Sequence, residues 1–383
     1  MMNLAGSVPG PGIRLMEDHT EEHLKTWRGR RVFLTGHTGF KGGWLAIWLH
    51  RLGAKVRGYA LDPCTEPNLF ALASVGSRVE DVRGDLRDYE NLESSMRGFQ
   101  PEVVFHMAAQ PLVRQSYLDP AATYDTNVMG TVHVLEAVRK SASVRAALCI
   151  TTDKVYRNQE WEWPYRETDP LGGHDPYASS KACAELVSAA YRSSFFSTDR
   201  PHGHRMALAT ARAGNVIGGG DWSEGRLIPD LIRGFCSRKS VLIRRPSAIR
   251  PWQHVLEPLH GYLMLASGLL QGNSKIASAY NFGPGDEDSW TVERVANKVV
   301  EMWGDGASWT RDADPGVHEA HLLRLDASKA RVELGWLPRL NTATSLEWTI
   351  DWYRAWRQAE NMAEFTATQI AEYEKLCSGQ SQE

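Results

Sequence analysis

Between Trp27 and about Thr210 the chain alternates short apolar runs with helical patterns, and this alternation limits the possible folds more than any other feature. The runs are "RVFLTG" (31–36), "KVRGYAL" (55–61), a weaker "RVEDVRGD" (78–85), "EVVFHMAA" (102–109), "RAALCITT" (145–152) and "RMALATAR" (205–212). Helical patterns fill the gaps, as in "GGWLAIWLHRLG" (42–53) and residues 121–140. Strands that are apolar throughout, not at every second residue, are buried on both faces, and helices between them make the sheet parallel. The predicted class is therefore α/β, a Rossmann-type doubly wound parallel sheet. After residue 212 glycines, prolines and short elements take over, and amphipathic helices return near 291–303 and 343–358. This gives a flexible leader over 1–26, a nucleotide-binding domain over 27–212, a smaller substrate-binding domain over 213–360 with some strand exchange, and a C-terminal helix and tail over 361–383.

Composition removes several function classes. A formal net charge of -3 over 383 residues argues against nucleic acid or an anionic membrane as the main partner. The basic clusters at 28–31 and 244–245 read as solvated faces. Five scattered cysteines without a C-x-x-C pair fit a reducing cytoplasm and imply neither a disulfide framework nor a metal site. No apolar run approaches the ~18 residues of a membrane span. The first twenty residues lack the basic start and apolar stretch of a signal peptide.

"TGHTGFKGG" follows the first strand and precedes a helix, with Gly36, Gly39 and Gly42 at intervals of three. That spacing lets a backbone turn tightly and present helix N-terminal amides to a pyrophosphate. The candidate cradle is Gly36, Thr38, Gly39, Phe40, Lys41 and Gly42. Asp62, about 20 to 26 residues downstream, is placed to bond both hydroxyls of a ribose, and its charge would repel the extra phosphate of NADP, so NAD is the expected cofactor. Asp85 and Leu86 of "GDLRD" are placed to meet the adenine, and the small Ala108 and Ala109 of "HMAAQ" admit close approach of the cofactor.

"PYASSKACAE" sets Tyr177 four residues before Lys181, on one helix face. A tyrosine near its ordinary pKa of about 10 is a poor base, and a neighbouring ammonium is expected to lower it by about 1–3 units. Upstream, "CITTDKVYRNQ" places Thr152, Asp153 and Lys154 at the carboxyl end of a central strand, where open α/β folds carry their chemistry.

With these motifs the chain from about Trp27 to about Tyr353 resembles the extended short-chain dehydrogenase/reductases that act on sugar nucleotides. The most distinctive stretches are "LTGHTGFKGGWL", "TTDKVY", "LGGHDPYASSKACAE", "RAGNVIGGGDW" and "RPWQHVLEPLHGYL". The resemblance implies that Thr152, Tyr177 and Lys181 are the catalytic threonine, tyrosine and lysine. It also implies that Asn127 supports the lysine through a water on the substrate side, with NAD as cofactor and a nucleotide sugar, CDP-D-glucose, as substrate. The implied reaction is an internal redox cycle: oxidation at carbon 4, loss of water across carbons 5 and 6, and return of the hydride to carbon 6. Such a cycle needs a general acid and a general base. Asp153 is placed as the acid, and Lys154 either takes the carbon-5 proton or stays cationic and steadies the enolate. A 4-epimerase or another nucleotide-glucose dehydratase of the same fold is the alternative, although an epimerase gives Asp153-Lys154 no task.

Asn215 and Arg250 are the expected contacts to the substrate diphosphate by the same resemblance, with Arg226 and Arg233 as further cations able to fork onto phosphate. His254 reads as a structural residue. Family members usually pair through two long helices, here about 121–140 and 176–196, so a cytoplasmic homodimer or homotetramer is expected.

Overall fold

The structure is a computed structural model that describes residues 23–196, 206–313 and 321–379. Its centre is a seven-stranded sheet of β1 (Arg31–Thr35), β2 (Lys55–Ala60), β3 (Glu80–Arg83), β4 (Val103–His106), β5 (Ala146–Ile150), β6 (Ala207–Ala213) and β7 (Ala279–Phe282). The order is β7-β6-β5-β4-β1-β2-β3 and every pairing is parallel. β4, β5 and β6 are buried along their whole length, as their mainly apolar sequences require, with His106, Thr210 and Arg212 buried among them. Successive residues face different cores. Val32, Leu34, Phe105 and Leu148 join the larger cluster with Trp44 and Trp48, whereas Phe33, Val104 and Ala147 join a second with Val134 and Val138. Edge strand β3 is the least buried, which is why its pattern is weak in sequence.

The helices depart from the sequence reading in two places. The first, α1 (Phe40–Arg51), begins two residues before the predicted start, so Phe40, Lys41 and Gly42 form its opening turn. The helical stretch predicted as continuous over 121–140 is interrupted: Pro120–Tyr124 leads into a π-helical turn at Asp125–Met129, and α2 (Gly130–Lys140) follows. A π turn sits at functional sites more often than elsewhere in proteins, and this one contains Asn127. The long helix α3 (Pro176–Phe195) starts from Asp175, whose side chain accepts from the Ala178 amide, with Pro176 in the first turn.

The chain beyond residue 212 does not form a separate layer. It supplies β7 to the central sheet, and α4 (Leu256–Leu270) is buried along its length against β5 and β6. A small sheet of Asn215–Ile217, Ile249–His254 and Ser289–Thr291 stands beside it. The C-terminal helix α5 (Met362–Cys377) packs back on α1, where Trp48 Nε1 donates to Glu374 Oε1 at 2.9 Å. Residues 23–26, counted with the leader above, carry a helical turn whose Thr26 hydroxyl accepts from Ser267 Oγ of α4 at 3.1 Å. The rest of that predicted leader, residues 1–22, lies outside the described residues.

One buried ion pair joins α3 to the sheet. The Glu185 carboxylate accepts from Arg212 Nε at 3.0 Å and Nη2 at 2.9 Å, from Thr151 Oγ1 at 2.5 Å and from Thr210 Oγ1 at 2.7 Å. Both side chains are 3% exposed. Burial alone would raise the pKa of Glu185, but Arg212 and the two hydroxyls hold it below the usual carboxylate range. Replacing Glu185 by alanine strands a buried guanidinium, and the expected cost is ~3–5 kcal/mol of stability. Urea denaturation of Glu185→Ala checks this; a loss under about 1 kcal/mol, the scale of a surface pair, would contradict it.

Candidate active site

Strand order reverses between β1 and β4, which opens a crevice at the carboxyl ends of the strands. The glycine turn lines one side of it. Gly36 has φ +80, and a Cβ there would stand 2.7 Å from the Ala108 amide nitrogen. A Cβ on Gly42 would lie 2.1 Å from the Gly36 carbonyl oxygen. Neither position admits a side chain, so backbone alone forms the floor beneath the α1 N-terminus. The Thr38 hydroxyl donates to the Leu61 carbonyl at 2.9 Å and so ties the turn to the end of β2, next to Asp62. Ala108 follows β4, and its amide is held by Thr35 Oγ1 at 3.1 Å. Asp85 and Leu86 follow β3: the Asp85 carboxylate is gripped by Arg87, which holds it below the usual carboxylate range, and Leu86 is buried against Gly130. This floor of amides, with a carboxylate 88% exposed at Asp62, fits a dinucleotide.

Across the crevice, β5 ends in Thr151-Thr152 and a single 3-10 turn, Asp153–Val155. The Thr152 hydroxyl donates to Asp153 Oδ1 at 3.0 Å and accepts from the Lys154 amide at 3.4 Å. Asp153 is 2% exposed, and its second oxygen, Oδ2, has no partner. Burial raises its pKa, against the opposing charges of Lys154 and Arg250. The carboxyl therefore holds its proton to higher pH than an ordinary aspartate.

Tyr177 and Lys181 lie on the buried face of α3, with Glu185 one turn further on. The expectation that an ammonium would lower the tyrosine pKa is not met. Burial pushes Tyr177 up to about 12, and the groups pulling it down are the Thr152 hydroxyl and the Arg226 charge. Lys181 instead donates from Nζ to the Ile150 carbonyl at 3.1 Å, and burial lowers its pKa to about 8.

Asn127 is 1% exposed and its amide is spent inside the protein: Oδ1 accepts from the Gln110 amide at 2.8 Å, and Nδ2 donates to the Gln110 carbonyl at 3.1 Å and Ser180 Oγ at 2.9 Å. The structure thus sets it behind α3 as a support and not among groups open to substrate.

The expected diphosphate residues fall in three situations. Arg226 faces the site, since its charge acts on both Tyr177 and Lys41, and it pairs with Asp221 at 2.8 Å. Arg250 is buried near Asp153 and donates to the His321 carbonyl at 3.1 Å; Asn215 stands opposite Trp252 at the start of the small sheet. Arg233 turns into its own loop, donating to the Trp222 carbonyl at 2.7 Å and pairing with Asp230, so it shapes the loop that carries Arg226. His254 is fully buried and its pKa is pushed down to about 3, as suits a structural residue.

Sequence reasoning missed Tyr262, Glu185 and Arg212. Lys41 Nζ donates to Tyr262 OH at 3.0 Å, and burial, aided by Lys181 and Arg226, lowers the lysine to about 7. A buried arginine inside the apolar "ALATARA" is the one signal that could have exposed the Glu185 network. Among the described residues no group of three His, Cys, Asp or Glu could hold a metal ion, and no helix is long and apolar enough to cross a membrane.

Comparison with known proteins agrees with this geometry. A sequence model of the GDP-mannose 4,6 dehydratase family matches residues 33–349. CDP-glucose 4,6-dehydratase of Salmonella typhimurium is 52% identical over 91% of this chain and 97% of its own. The structure of DesIV, a dTDP-glucose 4,6-dehydratase from Streptomyces venezuelae with NAD and TYD bound, superposes with a TM-score of 0.73 at 25% identity, covering 86% of this chain and 98% of that one. The epimerase Mth375 from Methanothermobacter thermautotrophicus, at TM-score 0.76 and 22% identity over 89% of this chain and 97% of its own, shares the fold. A match across most of the chain, together with 52% identity to a full-length dehydratase, shows that this protein belongs to the GDP-mannose 4,6 dehydratase family.

Proposed function

We propose that the protein converts CDP-D-glucose to CDP-4-dehydro-6-deoxy-D-glucose with tightly held NAD, as a hydro-lyase of deoxysugar biosynthesis. The observation that carries this reading is the 52% identity to the Salmonella CDP-glucose 4,6-dehydratase over 91% of the chain. The placement of Thr152, Asp153 and Lys154 opposite the Tyr177 helix supports it independently. Gly36, Thr38, Gly39, Phe40, Lys41 and Gly42 hold the pyrophosphate of NAD, Asp62 a ribose, Asp85 and Leu86 the adenine end, and Ala108 and Ala109 lie under the cofactor. Bound NAD supplies a hydride acceptor for carbon 4 and a donor for carbon 6, so it is regenerated within the cycle.

The chain's own residues move the protons. Tyr177 takes the proton of the sugar 4-hydroxyl, with the Thr152 hydroxyl and the Arg226 charge favouring its ionised form against the cost of burial. Lys181 remains beside the Ile150 carbonyl as the cation of the site. Asp153, whose pKa burial raises, gives its proton to the departing 6-hydroxyl. With tyrosine and aspartate so engaged, Lys154, as its neutral amine, is assigned the carbon-5 proton and becomes the ammonium; support of the enolate as a standing cation is the second role open to it. Asn215, Arg226 and Arg250 receive the substrate diphosphate. An epimerase needs neither Asp153 nor Lys154. We further place the protein in the cytoplasm as a homodimer or homotetramer. The exposed apolar Met129, Leu186 and Phe195, on the helical segments around residues 121–140 and 176–196, favour pairing there.

The first test is incubation of the purified protein with CDP-, dTDP-, UDP- and GDP-glucose, read by mass spectrometry. Loss of one water from CDP-glucose without net reduction of NAD is expected, and steady accumulation of reduced cofactor would overturn the dehydratase reading. Asp153→Asn is expected to lower kcat by about 10²–10⁴ with KM little changed, the usual scale of a general acid. Because Asp153 acts protonated and its pKa is raised, wild-type kcat should fall as pH rises through that pKa, and the Asn variant should lack that limb. A variant at full rate sinks the assignment. Lys154→Arg keeps the charge but removes the base. It should cost at least about 10² in kcat and slow deuterium incorporation at carbon 5, whereas a rate within a few-fold of wild type would return Lys154 to the cationic role.

A further inference from the structure

Arg83, the last residue of β3, pairs in register with Ala60 at the end of β2 and so stands beside Asp62. Its Nη1 lies 3.5 Å from Asp62 Oδ1. The guanidinium is fixed from three other sides. Nη1 donates to the Leu61 carbonyl at 3.1 Å, Nη2 to Asp81 Oδ2 at 2.9 Å, and the group stacks over the Phe70 ring at 4.6 Å. Asp81 is anchored in turn by His37 Nε2 at 2.7 Å, from the glycine turn itself. The His37 ring is buried so tightly that a Cβ on Gly58 would fall 2.3 Å from it. Burial also lowers the His37 pKa, so Asp81 draws its positive partner from Arg83. The outcome is a preorganised arginine fork under an exposed carboxylate, at the place where, on the NAD reading, the adenosine ribose would lie.

We propose that Arg83 is a second cofactor-selecting residue, which aims Asp62 at a ribose 2′-hydroxyl and forms beneath it a concealed binding subsite for a 2′-phosphate. This rests on the NAD reading given above. An arginine fork suits phosphate, and an aspartate suits a diol. With both present, the Asp62 charge neutralises the fork and repels a phosphate, so selection for NAD is a balance between two residues and not a property of Asp62 alone.

The test is calorimetric titration of the full chain with NAD and with NADP, for wild type, Asp62→Asn and Asp62→Asn/Arg83→Met. Wild type is expected to bind NAD the tighter. Asp62→Asn should strengthen NADP binding by at least about tenfold, the scale of one charge-assisted hydrogen bond, and Arg83→Met in that background should abolish the gain while NAD still binds. Retained NAD binding shows that the double variant folds. Absence of any NADP gain in Asp62→Asn, or a gain that survives Arg83→Met, overturns the proposal. Failure of wild type to bind NAD would overturn the functional reading as well.

Discussion

The geometry of the candidate active site depends on the contact between Glu185 and Arg212. Tyr177, Lys181 and Glu185 succeed one another at four-residue spacing, so all three turn the same side of α3 to the sheet. Lys181 reaches the Ile150 carbonyl, and Glu185 grips the sheet more widely, reaching Thr151 just beyond β5 and Thr210 and Arg212 in β6. Thr151 immediately precedes the Thr152-Asp153-Lys154 turn. The Glu185 carboxylate, with the Lys181 ammonium on the Ile150 carbonyl, thus ties the helix that carries Tyr177 to the strand end that leads to Asp153. Arg212 extends the link through Tyr156 OH at 2.8 Å to Asn281 of β7 at 2.7 Å. A buried pair of this kind justifies its desolvation only when its remaining donors and acceptors are also engaged, as they are here.

The electrostatics around that frame are lopsided. Lys41, Lys154, Lys181, Arg226 and Arg250 act on one buried acid or on each other. Burial lowers Lys41 and Lys181, helped at Lys41 by the charges of Lys181 and Arg226, while desolvation raises Asp153 and Tyr177. These four shifts favour the neutral form of each group, whereas Asp221 keeps Arg226 charged. Such a site gains most from a ligand that brings negative charge of its own, which a nucleoside diphosphate does.

Much of this was legible in the sequence because it is local. The strands announce themselves as unbroken apolar runs, the glycine turn by its spacing and flanks, and the Tyr177–Lys181 pair by one helical turn. What escaped depends on contacts between distant segments. Asn127 is named by resemblance, but the π turn at Asp125–Met129 follows the ordinary helical pattern, and its direct partners, Gln110 and Ser180, come from distant segments. Lys41 meets Tyr262 across 221 residues of chain. The Tyr177 pKa could not be read from its neighbour in sequence, because the depth of burial and the reach of Arg226 from a later loop decide it. Arg233 had the right charge, but its loop carbonyls claim it.

The placement of β7 has a consequence for synthesis of the chain. β6 is complete at Ala213, yet its outer neighbour is not made until Ala279–Phe282. While the nascent chain is shorter than that, the edge of a fully buried strand offers unpaired amides and carbonyls, the kind of template on which chains aggregate. The strand ends of the candidate site and the segment that protects their sheet are thus separated in time as well as in sequence. Fragments that stop at the end of the nucleotide-binding motifs inherit the exposed edge permanently, so the natural unit for expression or recombination runs at least through β7.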